Sequence, residues 1–320
     1  MAGRYAVGVD FGGTKILAAV VNLETGRLVG TGKKKTRQVH EQEDVIKRIA
    51  SVVDESLAEA GMTARDIEGI GIGAAGQVNR EKGVLVFAAN IGVSDLPLAQ
   101  PLAQMFQLPC ALGNDVEIAT LGEVQFGAGR RCDSLVCVFV GTGIGSCIVH
   151  DGTIYRGASG SAGEIGHVVI DPFGRQCGCG AFGCLEAYAS RTAIAKHIVA
   201  ELKRGADSMI RDRIDMTKGI LRSKAISDAI EAGDDLVKSA VSQAAQFLGL
   251  GLASVINFYN PQRIILGGGM IEASEYYFHH AVKHARQRAL RVPARKIEFV
   301  KAELGDYAGV IGAALLVKGK

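Results

Sequence analysis

The sequence predicts an α/β fold, and three observations carry that prediction. Strand and helix patterns alternate along most of the 320 residues. A strand, a glycine-rich turn and a returning strand occur near the N-terminus, and the same arrangement recurs far down the chain, which points to an internal duplication. Hydrophobic residues make up 48% and charged residues 22%, a balance that supplies an ample core. At roughly 100–200 residues per domain the length predicts two domains.

The elements follow in order. "RYAVGVD" reads as a buried strand, "GGTK" as a turn and "ILAAVVN" as the returning strand. A helix runs from Asp44 to Ala60, with Val45, Ile49, Val52, Val53 and Leu57 at helical spacing and Gly61 as its stop. "IEGIGIGAAG" gives a strand and a glycine turn, and "QVNREKGVLVFAAN" more turn and strand. "CALGNDVEIATLGEVQFG" passes from strand to helix at Asn114 and Asp115. The second hairpin is "SLVCVFV" (Ser134–Val140), "GTGIG" and "SCIVHDG". Residues 205–222 have no regular pattern and are expected as a mobile connection. A long helix covers 234–258, "PQRIILGGGM" supplies a strand and a triple-glycine turn, and Asp306–Val317 is an apolar helix. With 42 glycines and only 6 prolines, tight turns join these elements.

Charge and cysteine usage exclude several classes. A net charge of +3 is too small for a nucleic-acid or acidic-membrane partner. Lys33, Lys34 and Lys35, and the run from His284 to Lys296, read as solvated faces. No apolar run reaches the roughly 18 residues of a membrane span, and "LGLGLASVIN" is the nearest. The N-terminus has no signal-peptide pattern. An odd count of 7 cysteines then argues for a reducing, cytoplasmic setting over a disulfide scaffold.

The glycine loops admit three readings. The P-loop fails because Lys15 stands at the wrong spacing from its glycines. "GIGAAG" (Gly71–Gly76) matches the Rossmann fingerprint, with Asp95 downstream, but that fingerprint needs a helix where strand and turn follow. The third reading sets "DFGGTK", "GTGIG" and "LGGG" around one nucleotide. Backbone amides in two hairpin turns would hold its phosphates, and Asp10 would meet a phosphate-bound Mg²⁺ through water.

Three cysteines crowd into "HVVIDPFGRQCGCGAFGCLE". Cys177 and Cys179 are too close in sequence to bond to each other comfortably. As thiolates they can face one ion, with Cys184 and His167 completing a tetrahedral Cys₃His set that suits structural Zn²⁺. Glu164 and Glu186 flank this knot, and carboxylates suit sugar hydroxyls. Asn114 and Asp115, at a helix N-terminus, read either as a plain helix cap or as a carboxylate held ionised and in place, which would suit a base for phosphoryl transfer.

Together "VDFGGTKILAAVV", "GNDVEIATLGE", "GTGIGSCIVHDGTIYRGASGSAGEIGH", "CGCGAFGCLEAYAS" and "IILGGGM" resemble the ROK family of bacterial sugar kinases and repressors over nearly the whole chain. The resemblance implies a duplicated actin-like ATPase fold with two domains around a central cleft. The expected division is 1–117 and 118–304, with a helix at about 305–320 packing back on the first domain. The resemblance implies ATP and Mg²⁺ at Asp10, Gly12, Gly13, Thr14 and Lys15, at Gly141, Thr142 and Gly143, and at Gly267, Gly268 and Gly269. It further implies sugar contacts from Gly76, Asn90, Asn114, Asp115, Glu164, His167 and Glu186, with Asp115 as general base.

Three positions depart from the family pattern: Glu117 stands where an Asn is common, Ala75 where a Pro is common, and no aromatic residue follows Asn90. The expected activity is ATP-dependent phosphorylation of glucose on its 6-hydroxyl. Other hexoses, N-acetylhexosamines and polyphosphate as donor are the alternatives. A sugar-sensing repressor is the rival class, and the nine residues before Asp10 offer it no room for a DNA-reading head. The resemblance also implies a homodimer or homotetramer.

Overall fold

β1 (Tyr5–Phe11) and β2 (Lys15–Asn22) form the expected hairpin, because each carries an apolar run that only a strand buried on both faces can hide. They pair antiparallel from Tyr5↔Asn22 to Phe11↔Ile16, and β3 (Leu28–Lys35) extends the same edge. α1 (Gln42–Glu59) buries Val45, Ile49, Val52, Val53 and Leu57, the stripe its sequence spacing predicts. β4 (Ile70–Ala74) runs parallel to β1. A small antiparallel sheet follows, made of β5 (Gln77–Asn79), β6 (Val84–Ala88) and β7 (Val93–Pro97), and then α2 (Ala99–Phe106). β8 (Cys110–Asn114) pairs parallel with β4 and passes straight into α3 (Asp115–Phe126). The sheet order is β3-β2-β1-β4-β8. β4 leads into β5 and not into a helix, which removes the Rossmann reading of Gly71–Gly76. The computed structural model describes residues 3–36, 42–88 and 91–318.

The second hairpin is β9 (Leu135–Val140) and β10 (Ile144–His150), extended by β11 (Thr153–Tyr155). Four helices follow: α4 (Glu186–Ala189), α5 (Arg191–Lys203), α6 (Ser223–Glu231) and α7 (Asp235–Tyr259). Next come β12 (Arg263–Gly267), α8 (Gly269–Ala273), α9 (Glu275–Arg288), α10 (Arg291–Lys296) and β13 (Glu298–Lys301). β12 is parallel to β9 and β13 parallel to β12, so the order is β11-β10-β9-β12-β13. Both five-stranded sheets therefore share one topology: two antiparallel pairings, then two parallel ones.

α7 is long and apolar enough by composition to cross a membrane. Its Val237, Val241, Leu248, Leu252 and Ile256 are fully enclosed by the core of their own unit, which accounts for the apolar stripe. Residues 205–222 correct the sequence reading. They contain a short 3₁₀ turn at Arg211–Arg213 and a bridge between Asp215 and Ile220, and they bury Ile210, Ile214 and Leu221 in the core. Three apolar side chains at irregular spacing leave no periodic signal, although each is anchored.

The chain forms two compact units, residues 1–131 with 303–320 and residues 132–302. The expected division at 117/118 falls inside α3, which stays whole in the first unit because its inner face is committed there. α11 (Ala308–Leu315) returns to the first unit and lies on β1, β4 and α3. Gly8 and Gly71 face the backbone of Val310 and Ala313 so closely that a methyl group at either would overlap a carbonyl oxygen. Buried Glu123 on α3 accepts hydrogen bonds from the amides of Ala128 (2.8 Å), Glu303 (3.1 Å) and Leu304 (2.9 Å). One carboxylate thus ties the outgoing chain to the returning chain.

Candidate functional site

In the first unit Asp10 stands one residue before the end of β1 with its carboxyl against Gly309, which has no side chain to crowd it. Burial pushes Asp10 up to about 6. Lys15 pulls the other way, and Asp306 adds to the rise. Lys15 itself pairs with Asp306 at 3.2 Å. The Gly12 amide donates to the Lys15 carbonyl (3.1 Å) and Thr36 donates its hydroxyl to the Gly12 carbonyl (2.7 Å). These bonds close the turn and leave Gly13 and Thr14 at its tip.

Asn114 organises the junction of β8 and α3. As the helix cap it accepts from the amides of Val116 (2.9 Å) and Glu117 (3.2 Å). Its amide nitrogen donates to the Gly76 carbonyl (3.1 Å) and to Asp115 Oδ1 (2.9 Å). Every polar group of this side chain is thereby used, which fixes Asp115 at the first position of the helix. Burial pushes Asp115 up to about 6 and the Asp10 charge adds to it, while hydrogen bonds from Val116, its own amide and Asn114 oppose the rise. The geometry joins Gly76, Asn114 and Asp115; Asn90 lies outside the described residues.

Glu117 is buried and ion-paired with Arg80, just beyond β5. The sequence marked Glu117 only as a departure and gave no partner for it. The β5–β6 connection is therefore fastened to the start of α3 twice, through Gly76–Asn114 and through Arg80–Glu117.

In the second unit Gly141 donates its amide to the Gly143 carbonyl (2.9 Å), which puts Thr142 at the tip of the β9–β10 turn. The Thr192 hydroxyl donates to the Thr142 carbonyl (2.6 Å), and the Arg191 amide to the Gly141 carbonyl (3.0 Å). Glu186 starts α4 and accepts from the amide of Ile144 (2.8 Å), directly after the turn. Gly267 ends β12. Gly268, with φ +86°, packs on the Val140 backbone as it opens α8, and Gly269 lies near the Ser223 hydroxyl.

His167, Cys177, Cys179 and Cys184 converge, with their ligand atoms all within 4.8 Å of one another. Cys177 Sγ lies 3.9 Å from His167 Nδ1, and Cys179 Sγ 3.8 Å from Cys184 Sγ. Zn–S bonds of about 2.3 Å in a tetrahedron place sulfurs about 3.8 Å apart, so the donors and spacing fit such an ion. Cys177 also lies 3.7 Å from Glu186 Oε1, which joins the knot to the glycine turn. Glu164 is exposed and precedes the short turn that carries His167.

These two sets of residues lie on a pair of like sheets, and whole-chain comparison matches that arrangement. The pattern of the ROK family fits residues 6–320. A glucokinase of Halalkalibacterium halodurans is 36% identical over 320 residues, covering 99% of this chain and 96% of that one. A ROK family glucokinase of Streptomyces griseus, solved in complex with glucose and AMPPNP, superposes with a TM-score of 0.83 at 33% identity over 97% of this chain and 98% of that one. A xylose repressor of Caldicellulosiruptor bescii is 28% identical over 313 residues, covering 97% of this chain and 77% of that one. The duplicated sheets are those of the actin-like ATPase fold, and the chain belongs to the ROK family.

Proposed function

We propose that this protein is an ATP-dependent hexose kinase whose substrate is glucose. The carrying observation is Asp115, a carboxylate set at a helix start by a fully used Asn114 and lifted to about 6, near the operating range of a general base. In this reading Asp115 takes the proton of the 6-hydroxyl as that oxygen attacks the γ-phosphate. Asn114, Gly76, Glu164, His167 and Glu186 orient the sugar, and Asn90 joins them from outside the described residues. The amides of the Gly12–Thr14 and Gly141–Gly143 turns, with Lys15, stabilise the phosphates. Gly267, Gly268 and Gly269 leave space for the nucleoside.

Asp10 would hold Mg²⁺ through water, and the ion would offset charge on the transferring phosphate. His167, Cys177, Cys179 and Cys184 would hold a structural Zn²⁺ with no open position. His167 would then turn Nδ1 to the metal and leave Nε2 for a sugar hydroxyl. The likeness to the Streptomyces griseus enzyme supports both substrates. The resemblance also supports a homodimer or homotetramer acting in the cytoplasm.

Release of ADP from Mg-ATP tests the reading, with glucose first and then mannose, fructose, N-acetylglucosamine and N-acetylmannosamine. Turnover with glucose that collapses in Asp115→Asn is the expected result. Turnover confined to another sugar moves the substrate and keeps the base. Sugar binding with no turnover overturns the enzyme and leaves a sensor, the role of the repressors in the family.

A further inference from the structure

A ring of contacts closes around the Asn114 side chain. Its Oδ1 accepts from the Glu117 amide (3.2 Å), the Glu117 carboxylate pairs with Arg80, and β5 runs back from Arg80 to Gly76. The Gly76 carbonyl then accepts from Asn114 Nδ2 (3.1 Å), which also donates to Asp115 Oδ1 (2.9 Å). Asp115 is thus oriented by an amide group whose other partner is a strand. That strand has little else to hold it. β6 and β7 bury Leu85, Ala88, Val93 and Leu96, whereas none of the three residues of β5 is buried, and its pairing with β6 shifts register between Gln77 and Val78. The turn after β5 is tight: the Lys82 amide donates to Asn79 Oδ1 (3.0 Å), the Gly83 amide to the Arg80 carbonyl (3.3 Å), and Gly83 takes φ +64°. Arg80 therefore holds the first place in the turn, and from there it reaches Glu117.

We propose that Arg80 and Glu117 are positioning residues for Asp115: their ion pair holds β5 on the start of α3, so that Gly76 keeps the Asn114 amide turned toward the carboxylate. The inference rests on the kinase reading above and names what aims its base. A pair with one partner buried and the other partly so adds little net stability, because desolvation offsets the attraction; what it supplies is geometry. Without it β5 slackens, the Gly76 carbonyl moves off Asn114 Nδ2, and the amide turns to other acceptors. Asp115 then loses the hydrogen bond that sets the direction of its carboxylate. Phosphoryl transfer depends on such direction, and a displacement of about 1 Å at a reacting group can cost about 10²-fold in rate. Asn, common at position 117 in the family, is one methylene shorter and uncharged, and cannot complete the ring as an ion pair.

Kinetics of Arg80→Met/Glu117→Met with sugar and Mg-ATP test it, beside the parent, Arg80→Lys and Asp115→Asn. The double variant removes both charges together, so no buried ion is left unpaired and the net charge is unchanged; thermal unfolding checks that it is folded. The expected kcat is about 10–100-fold lower at an unchanged KM for Mg-ATP, while Arg80→Lys, which keeps the ion pair, stays within about threefold of the parent. The acid limb of kcat/KM also moves to higher pH. The Asn114 hydrogen bond lowers the Asp115 pKa, and Asp10, whose charge acts on Asp115 from β1, is untouched in the variant. A kcat and an acid limb equal to the parent's overturn the proposal, as does a loss that falls as heavily on KM for Mg-ATP. Should the double variant not fold, Glu117→Gln carries the test, because it keeps the side-chain length and a hydrogen bond to Arg80. Its kcat is expected about threefold lower or less than that of the parent, and equality overturns the proposal. A parent inactive on every sugar overturns the kinase reading itself, and turnover that survives Asp115→Asn removes the base. An active parent matched by its double variant overturns this inference alone.

Discussion

The hairpins β1–β2 and β9–β10 sit at corresponding places in two sheets of one topology, yet only the first carries the carboxylate at its turn on its own strand; the second takes Glu186 from the start of α4. Two residues before the turn glycine stands Asp10 in the first and Phe139 in the second. Asp10 is buried beside Gly309 at the cost of a raised pKa; Phe139 packs its ring on Gly267. Duplicated backbone thus provides two like sets of turn amides, and the carboxylate beside each comes from a different place, β1 itself in the first and the start of α4 in the second. The same contrast extends to what surrounds each hairpin. The first unit places Asp115 through hydrogen bonds already made, whereas the second gathers thiols whose arrangement fits an ion.

The first unit's chemistry is the sharpest place to test this contrast. Asp115→Asn is expected to lower kcat by about 10²–10⁴-fold, the usual worth of a positioned base, with sugar and nucleotide still bound. A loss under tenfold would remove Asp115 from that role.

The stability of the first unit comes next. Glu123→Leu strips the buried amide of Ala128 and the part-buried amides of Glu303 and Leu304 of their acceptor, and chemical denaturation is expected to read a loss of about 2–4 kcal/mol. Glu123→Gln keeps an acceptor and costs less.

In the second unit, Cys177→Ser is expected to release zinc and weaken sugar binding, while a first-unit variant such as Asp115→Asn keeps the metal. Elemental analysis of the purified proteins decides, and unchanged metal in Cys177→Ser would break the contrast.

The smallest effect is on pH dependence. Asp10 and Asp115 both stand at about 6, above the value of about 3.9 for an unfolded Asp. Their contribution to stability is therefore fully present below about pH 4 and lost as pH rises through about 6. Asp115→Asn should raise the melting temperature by a few degrees at pH 8 and change it little at pH 4. In the parent, kcat/KM should fall as pH drops through about 6, because the base protonates.

Much of this was legible in the sequence because the signals are local. Apolar runs bounded by glycine marked both hairpins, Asn114 before a helical pattern marked the cap, and three cysteines within one short loop marked the knot. What escaped depends on partners distant in sequence or on irregular spacing. Arg80 is paired with Glu117 across a sheet and a helix, and neither carries a mark of the other. Ile210, Ile214 and Leu221 are core residues without a period.

The return of α11 to the first unit has a consequence for synthesis. The second unit is one unbroken stretch, 132–302, and all its strands and helices are synthesised before α11 is. The first unit emerges earlier but lacks the helix that lies against Gly8 and Gly71, so its sheet waits with an apolar face uncovered. Folding order thus runs against translation order: the half made first is completed last, and its exposed interval lasts as long as the other half takes to be made.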